Sequence, residues 1–147
     1  MSYKGKWKPR NINKYIGNPE GIVFRSLWER QTFKWCDDNP NVISWSSEEF
    51  YIPYRSRVDG KIHRYFIDLK INYSTGQTHI VEIKPKKQTH PPKPPKRRTR
   101  RYINEMRTYA TNMSKWEHAQ DYAQNRGWIF EIWTEDDLKS KGIKINK

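Results

Sequence analysis

Charged side chains that could do chemistry alternate with apolar ones in residues 64–84, where two β-type runs flank a turn containing Gly76. Successive side chains of a strand point to opposite faces, so Asp68 lies on the polar face of the first run. Glu82 and Lys84 lie together on the polar face of the second run. Two carboxylates and an ammonium group that meet in a hairpin could hold a hard divalent cation and stabilise a charged transition state.

The order Ile67-Asp68, then Glu82-Ile83-Lys84, resembles the PD-(D/E)xK motif of nucleases. Ile67 stands where proline is usual in that motif, and the departure changes little because proline is not a ligand. This loose spacing also arises by chance in many strands. Two solvated strand charges paired with lysines are therefore the alternative interpretation of these residues taken alone.

The charge of the chain points to a polyanionic partner. Its 147 residues include 29 Lys and Arg against 16 Asp and Glu, a net charge of +13, and nucleic acid is the usual partner of so basic a protein. A basic membrane-surface protein is the competing class, but the sequence has no long apolar run and no amphipathic helix with a cationic rim. The single cysteine, Cys36, excludes an internal disulfide and a cysteine-rich zinc site, which suits a reducing cytoplasm.

We expect one domain over residues 1–147, with a basic arm at residues 1–20 and a frayed basic tail at residues 140–147. The arm shows no helical or strand period. It could dock onto the domain through Trp7 and Tyr15 and touch DNA, and a merely solvated tail is the alternative.

A helix is predicted over residues 22–38, because Ser26 and Glu29 form a capping-box pattern at its start. Glu29 has two interpretations at this point. The local pattern favours the capping acid, which satisfies backbone donors. The other role is a third carboxylate near the cation, and both roles hold only if the helix start faces the polar strand surface.

The strands are predicted as a meander of residues 49–57, 61–73 and 78–84, in which Pro53 marks an edge or a strand end. Residues 128–133 form a further buried strand. A long helix over residues 99–125 carries an apolar stripe that predicts core packing, and a second capping-box pattern predicts a break near Asn112. Thr134 caps a short last helix.

Residues 85–101 form a proline-rich basic segment without acids. Its prolines keep the chain extended, and a row of cations in an extended chain suits contacts to phosphates that release counterions. A disordered linker or a protein-docking segment is the alternative; the position just after Lys84 favours DNA. The DNA-contacting residues are predicted to be Lys86, Lys87, Lys93, Lys96, Arg97, Arg98, Arg100 and Arg101.

Further runs extend the likeness beyond the motif. Residues 24–30, 39–42, 47–49, 52–54 and 59–68 precede residues 81–85 in an order that resembles the transposon endonucleases of the TnsA type. The chain is still more similar to the head-completion nucleases of large tailed phages. That likeness includes residues 6–11, 91–97, 115–117 and 134–138, and so covers nearly the whole sequence.

The resemblance implies an α/β fold with a restriction-endonuclease-like core, a mixed central sheet flanked by helices. It implies a catalytic set of Glu29, Asp68, Glu82 and Lys84. The implied ligands of Mg²⁺ or Mn²⁺ are Asp68, Glu82, the backbone carbonyl of Ile83, and Glu29, so the resemblance moves Glu29 from capping to catalysis. The implied reaction is hydrolysis of double-stranded DNA with little sequence preference.

The resemblance also implies a place in phage assembly: conditioning of the DNA end during head completion, before the tail is attached. The expected location is the host cytoplasm, with retention in the virion head or neck as an extension, and no membrane association. The expected partners are portal, neck or other head-completion proteins and a second copy of the chain. Two alternatives stay open: a non-catalytic DNA-binding head or neck protein on a nuclease fold, and a transposase-like subunit that needs a partner.

Overall fold

The computed structural model describes residues 4–146, so residues 1–3 of the predicted arm and residue 147 of the predicted tail lie outside the described part. A four-stranded sheet lies between helical layers. In chain order the strands and α-helices are β1 (Gly5–Lys6), β2 (Val23–Phe24), α1 (Leu27–Asp38), β3 (Val42–Ser46), β4 (Tyr51–Arg55), β5 (Ile62–Phe66), β6 (Leu69–Tyr73), β7 (Thr78–Ile83), α2 (Arg100–Arg126), β8 (Ile129–Trp133) and α3 (Glu135–Ser140).

The central sheet is mixed and has the order β3-β6-β7-β8. Strands β3, β6 and β7 pair antiparallel, whereas β7 and β8 pair parallel after the crossover through α2. This confirms the predicted mixed sheet and the predicted place of residues 128–133 in it. The functional strand β7 is thereby central, with all of its residues from Ile80 to Ile83 buried.

The two faces of the sheet carry separate cores. On one face, α1 and the chain near β1 and β2 cover a cluster centred on Trp45, Leu69 and Val81. On the other face, the C-terminal half of α2 and the β4-β5 hairpin cover Ile80 with Trp116 and neighbouring apolar residues. Period-two alternation in β7 therefore sends Glu82, like Ile80, toward α2 and the hairpin.

The predicted three-stranded meander is wrong in its pairing. The run 61–73 is two strands, β5 and β6, that separate at Ile67 and Asp68. Strands β4 and β5 pair only with each other, and β3 takes the sheet edge beside β6. The reason is that Ile67 packs with the hairpin core and Leu69 with the opposite core, so the chain changes layers at Asp68. The edge position predicted for Pro53 is confirmed, since β4 has a single partner strand.

Helix α2 is continuous, so the predicted break near Asn112 is wrong. The hydroxyl of Ser114 donates to the Ala110 carbonyl at 3.2 Å and accepts the Arg57 backbone N–H at 3.1 Å, rather than capping a new helix. Buried residues of α2 begin only at Asn112, so the predicted core packing of its stripe holds for the C-terminal half alone. Within the described residues, no helix is long and apolar enough to cross a membrane.

Both ends of the described chain dock onto the first core. Trp7 packs edge-on to Phe33 and Trp45, and Tyr15 is 7% exposed with its hydroxyl bonded to Ser47 and Glu49. The docking predicted for Trp7 and Tyr15 is thus observed. The predicted fraying of the tail is not, because Ile143 and Ile145 are buried in the same core as Trp45.

Candidate active site

Asp68 and Glu82 meet at the point where the chain changes layers. Asp68 immediately precedes β6 and lies beside the last residues of β7, since Leu69 pairs with Val81. The Ile83 backbone N–H donates to Asp68 Oδ2 at 2.9 Å. The Asp68 carboxyl lies so close to that of Glu82 that the charge of Glu82 helps to raise its pKa. Two like charges this close repel one another unless a cation offsets them.

Glu82 is 6% exposed and is held by two neutral donors. Tyr65 of β5 donates its hydroxyl to Glu82 Oε1 at 3.0 Å, and Trp116 of α2 donates its indole N–H to the same oxygen at 3.3 Å. Neither Glu82 nor Asp68 forms an ion pair with a lysine among residues 4–146. The interpretation of these acids as solvated, lysine-paired strand charges does not hold.

The surroundings raise the pKa of two acids at this site, Asp68 and Glu29. Burial, then the charge of Glu82 and the hydrogen bond with it, raises the pKa of Asp68 well above its ordinary value, against the lowering effect of the Ile83 N–H. Burial also raises the pKa of Glu29, and the charges of Glu48 and Glu82 add to that effect. Burial and the neighbouring carboxylates raise the pKa of Tyr65, which keeps its hydroxyl a donor. Like charges gathered this closely are costly unless a cation offsets them.

Glu29 lies at the predicted helix start, but its carboxylate does not play the predicted capping part. Ser26 caps α1 by accepting the Glu29 backbone N–H at 3.1 Å, as the capping box predicts. The Glu29 carboxylate does not complete the box at Ser26, but accepts the backbone N–H of Arg25 at 3.1 Å. Its charge acts on Asp68 and that of Glu82 acts on it, so the start of α1 faces the carboxylate pair.

Lys84 directly follows β7, and its backbone N–H donates to the Trp133 carbonyl at 3.0 Å, which extends the β7-β8 pairing. Because it lies two residues after Glu82, strand alternation places both side chains on the same face. Lys84 is half-buried and forms no ion pair with an acid in the described part of the chain. An ammonium group in this position is available for an anionic substrate.

Arg25 and Glu48 complete the rim of the site, and sequence reasoning missed both roles. The Arg25 guanidinium contacts both carboxylate oxygens of Glu48 at 3.3 Å, and the charges of Glu48, Glu29 and Asp68 raise its pKa. Glu48 has a φ of 53°, a left-handed conformation that is uncommon outside glycine, and its N–H donates to the Ile67 carbonyl at 3.0 Å. Such strain clusters at functional sites.

The donors present fit a divalent cation in part. Asp68 and Glu82 supply carboxylate oxygens side by side, and Mg²⁺ is commonly bound through one or two carboxylates with retained waters. Among residues 4–146, no group of three or more His, Cys, Asp or Glu side chains is arranged to hold a metal ion. Glu29 is therefore near the pair without forming a three-carboxylate cage with it.

The predicted DNA-contacting residues lie along one exposed stretch that leaves the site after Lys84. The stretch contains a short 3₁₀ turn over Lys86–Thr89 and otherwise irregular chain. Helix α2 begins at Arg100, so the last two residues of the predicted segment 85–101 are helical. Two of its cations are paired: Lys86 with Asp136 at 3.3 Å, and Arg101 with Glu105 at 3.6 Å. All eight are exposed: Lys86, Lys87, Lys93, Lys96, Arg97, Arg98, Arg100 and Arg101.

Comparison with known proteins agrees with this geometry. Residues 39–135 match the family described as TnsA-like endonuclease N terminal, a range that includes Asp68, Glu82 and Lys84 but begins after Glu29. The head completion nuclease of Enterobacteria phage T4 is 47% identical over 148 aligned residues, which cover 98% of this chain and 99% of the phage protein. No solved structure matches the chain. With its restriction-endonuclease-like core, the chain belongs to the TnsA-like endonuclease family.

Proposed function

We propose that this protein is a metal-dependent DNA endonuclease of the PD-(D/E)xK type that acts in phage head completion. One observation carries the proposal: Asp68 lies beside the end of β7 next to Glu82, and Lys84, two residues after Glu82, is half-buried without an acidic partner in the described chain. The relative that shares 47% of its residues is named a head completion nuclease. A merely structural role would leave the cost of a buried Glu82 beside a half-buried Asp68 without compensation.

The acidic pair holds the cation in this mechanism. Asp68, Glu82 and the Ile83 carbonyl are the proposed protein ligands of Mg²⁺ or Mn²⁺, an all-oxygen set that both ions accept. The bound ion would lower the pKa of an attacking water and offset charge on the phosphate. Tyr65 and Trp116 hold the Glu82 carboxylate in place through Oε1, and the Ile83 N–H holds that of Asp68.

Lys84 and Glu29 act on the attacking water and the phosphate. Lys84 lies on the same face as Glu82, where its ammonium group orients the water and offsets charge on the phosphoryl oxygens. Glu29 would orient the same water or hold a second ion, because its charge acts on the pair while it does not join the pair in a metal-binding group. The expected products carry a 5′ phosphate and a 3′ hydroxyl.

The duplex is bound through its backbone, with little sequence preference. The basic stretch after Lys84 offers exposed cations to phosphates, and phosphate contacts position DNA without reading its sequence. The reaction takes place in the host cell, where the DNA end is conditioned before the tail joins. We further place the chain at the head or neck with portal or neck proteins, where it stays in the virion, and a second copy would cut the other strand.

A supercoiled-plasmid assay tests the proposal. The wild type should nick the plasmid with Mg²⁺ or Mn²⁺ and not with EDTA, while Asp68→Asn should bind DNA equally well and nick no more than the EDTA control. Equal nicking by both proteins would mean a contaminant or a wrong site. Equal binding with no nicking by either would leave a DNA-binding head protein as the function.

A further inference from the structure

One face of the β4-β5 hairpin is exposed and carries two aromatic rings side by side. The pairing of β4 with β5 places Tyr51 opposite Phe66, Pro53 opposite Arg64 and Arg55 opposite Ile62 on that face. Tyr51 is 41% and Phe66 is 45% exposed, with ring centroids 5.5 Å apart. Among residues 4–146, these two are the only exposed Phe, Tyr or Trp residues.

The opposite face of the hairpin accounts for its fold without these rings. Ile52, Tyr54 and Tyr65 are buried there against α2, and Tyr65 also reaches Glu82. Tyr51 and Phe66 add a cross-strand aromatic pair, but apolar burial alone does not require two large rings on the solvent side. Their exposure is therefore a feature that the folding of the hairpin leaves unexplained.

The charge of this face indicates which kind of ligand it binds. Arg64 lies over the Tyr51 ring at 5.0 Å and Arg55 lies farther along the same face, while no acid is among its six residues. Aromatic rings next to arginine form the usual platform for unpaired bases, which stack on the rings while their phosphates meet the cations. The bases of duplex DNA are stacked on one another inside the helix, so they cannot stack on such rings.

The face is also close to the candidate active site along the chain. Phe66 is two residues from Asp68, and two residues of extended chain span at most about 7 Å. A strand stacked on Phe66 therefore has only a short path, around the end of β5, to a phosphate at the acidic pair. The basic stretch after Lys84 offers a separate surface for paired DNA.

We infer that the outer face of the β4-β5 hairpin, formed by Tyr51, Phe66 and Arg64, is a stacking platform for unpaired nucleotides. Resting on the proposed nuclease function, this names the substrate as DNA in which single strand adjoins duplex, such as an end with an overhang. The duplex part lies along the basic stretch, and the unpaired part lies on the hairpin.

Binding of labelled oligonucleotides to the full chain in EDTA tests the platform, because no cleavage then disturbs the measurement. Tyr51→Ala and Phe66→Ala should each weaken binding of oligo(dT) by about 5- to 100-fold, the effect of losing one base stack. Binding to a blunt duplex should not change. Ile43→Ala is the matched control, since Ile43 is 60% exposed on β3, and it should leave both affinities as in the wild type.

Conservative variants separate stacking from folding. Tyr51→Trp and Phe66→Tyr keep a flat ring and should retain oligo(dT) binding, whereas Tyr51→Leu and Phe66→Leu keep apolar bulk and should lose it. Oligonucleotides containing bromodeoxyuridine should photocrosslink to Tyr51 or Phe66 in the unmodified chain, so the test stands even where an alanine variant fails to fold.

Three results would overturn the platform. If the alanine variants bind oligo(dT) like the wild type, the two rings do not contact DNA. If they lose the same affinity for duplex as for single strand, the face is not specific for unpaired nucleotides. If the wild type is a dimer, the alanine variants are monomers and oligo(dT) binding is unchanged, the face is a contact between two copies of the chain. The plasmid assay tests the nuclease separately. If the wild type nicks plasmid and the alanine variants bind oligo(dT) as well as it does, only the platform is rejected. If the alanine variants lose oligo(dT) binding but the wild type never nicks, only the nuclease function is rejected.

Discussion

The Ile83 backbone N–H donates to Asp68 Oδ2 at 2.9 Å and joins the two halves of the acidic motif. Because β7 lies inside the sheet, this bond ties the Asp68 carboxylate to a buried interior strand. Glu82, one residue before Ile83, is held from the other side by Tyr65 and Trp116. The acidic pair is thus positioned before any cation binds, a requirement for efficient catalysis.

The raised pKa of Asp68 predicts how stability varies with pH in a chelator. An acid with a raised pKa binds a proton in the folded state that it loses in the unfolded state, so the free energy of unfolding falls as pH rises from about 4 through the raised pKa. Within that window, stability falls by about 1.4 kcal/mol for each tenfold drop in proton concentration. Asp68→Asn removes this dependence, so thermal unfolding in EDTA should show a stability advantage of the variant that grows with pH.

Cation binding supplies the control for that measurement. Mg²⁺ or Mn²⁺ should raise the unfolding temperature of the wild type and have little effect on Asp68→Asn, because a ligand stabilises only the state that binds it. Parallel pH profiles for the two proteins in EDTA would contradict the raised pKa of Asp68.

Glu29 can be separated into its two roles by paired variants. Ser26→Ala removes the helix cap and should cost about 1 kcal/mol of stability with activity per folded molecule unchanged. Glu29→Gln keeps an acceptor for the Arg25 N–H but removes the charge, so stability should hold while nicking falls roughly 10- to 100-fold. If Glu29→Gln nicks like the wild type, Glu29 only caps.

The hydrogen bond from Tyr65 should support both stability and activity. Tyr65→Phe leaves Glu82 Oε1 with Trp116 as its remaining donor, which should cost about 1–3 kcal/mol and weaken Mn²⁺ binding measured by calorimetry. Tyr54→Phe is the control, because Tyr54 is 5% exposed in the same core and its hydroxyl makes no hydrogen bond among the described residues. Equal effects of the two changes would mean that the Tyr65 hydroxyl does not act through Glu82.

The basic stretch predicts a particular salt dependence of DNA binding. If Arg97 and Arg98 both contact phosphate, their change to alanine should flatten the slope of log affinity against log salt by about 1.8. Lys139→Ala with Lys144→Ala removes the same charge from exposed positions near the C-terminus and should leave the slope nearly unchanged. Similar slopes for both double variants would exclude the stretch from the DNA path.

Local pattern predicts which charged side chains share a strand face, but not the residues that hold them. Asp68, Glu82 and Lys84 follow from strand alternation around one turn, and Ser26 with Glu29 follows from a capping pattern. Tyr65 and Trp116 reach Glu82 from 17 and 34 residues away, and nothing near them in the sequence marks that contact. Such partners are set by how the layers pack.

The strand break at Ile67 was invisible for a similar reason. Apolar and polar residues alternate through residues 67–71, and no turn signal separates them from the β-type residues before them, so the run predicts one strand. Only the competition between two cores, with Ile67 in one and Leu69 in the other, bends the chain at Asp68. The left-handed conformation of Glu48 was missed because such a conformation is predicted from glycine or asparagine, and neither occurs at this position.

A crystal soaked in Mn²⁺ tests the central claim most directly, because the anomalous signal of the ion locates it without assumptions about activity. We expect a peak between the carboxylates of Asp68 and Glu82, with both as ligands, and no peak there in Asp68→Asn. Two carboxylates that stay side by side with no ion between them at saturating Mn²⁺ would contradict the account.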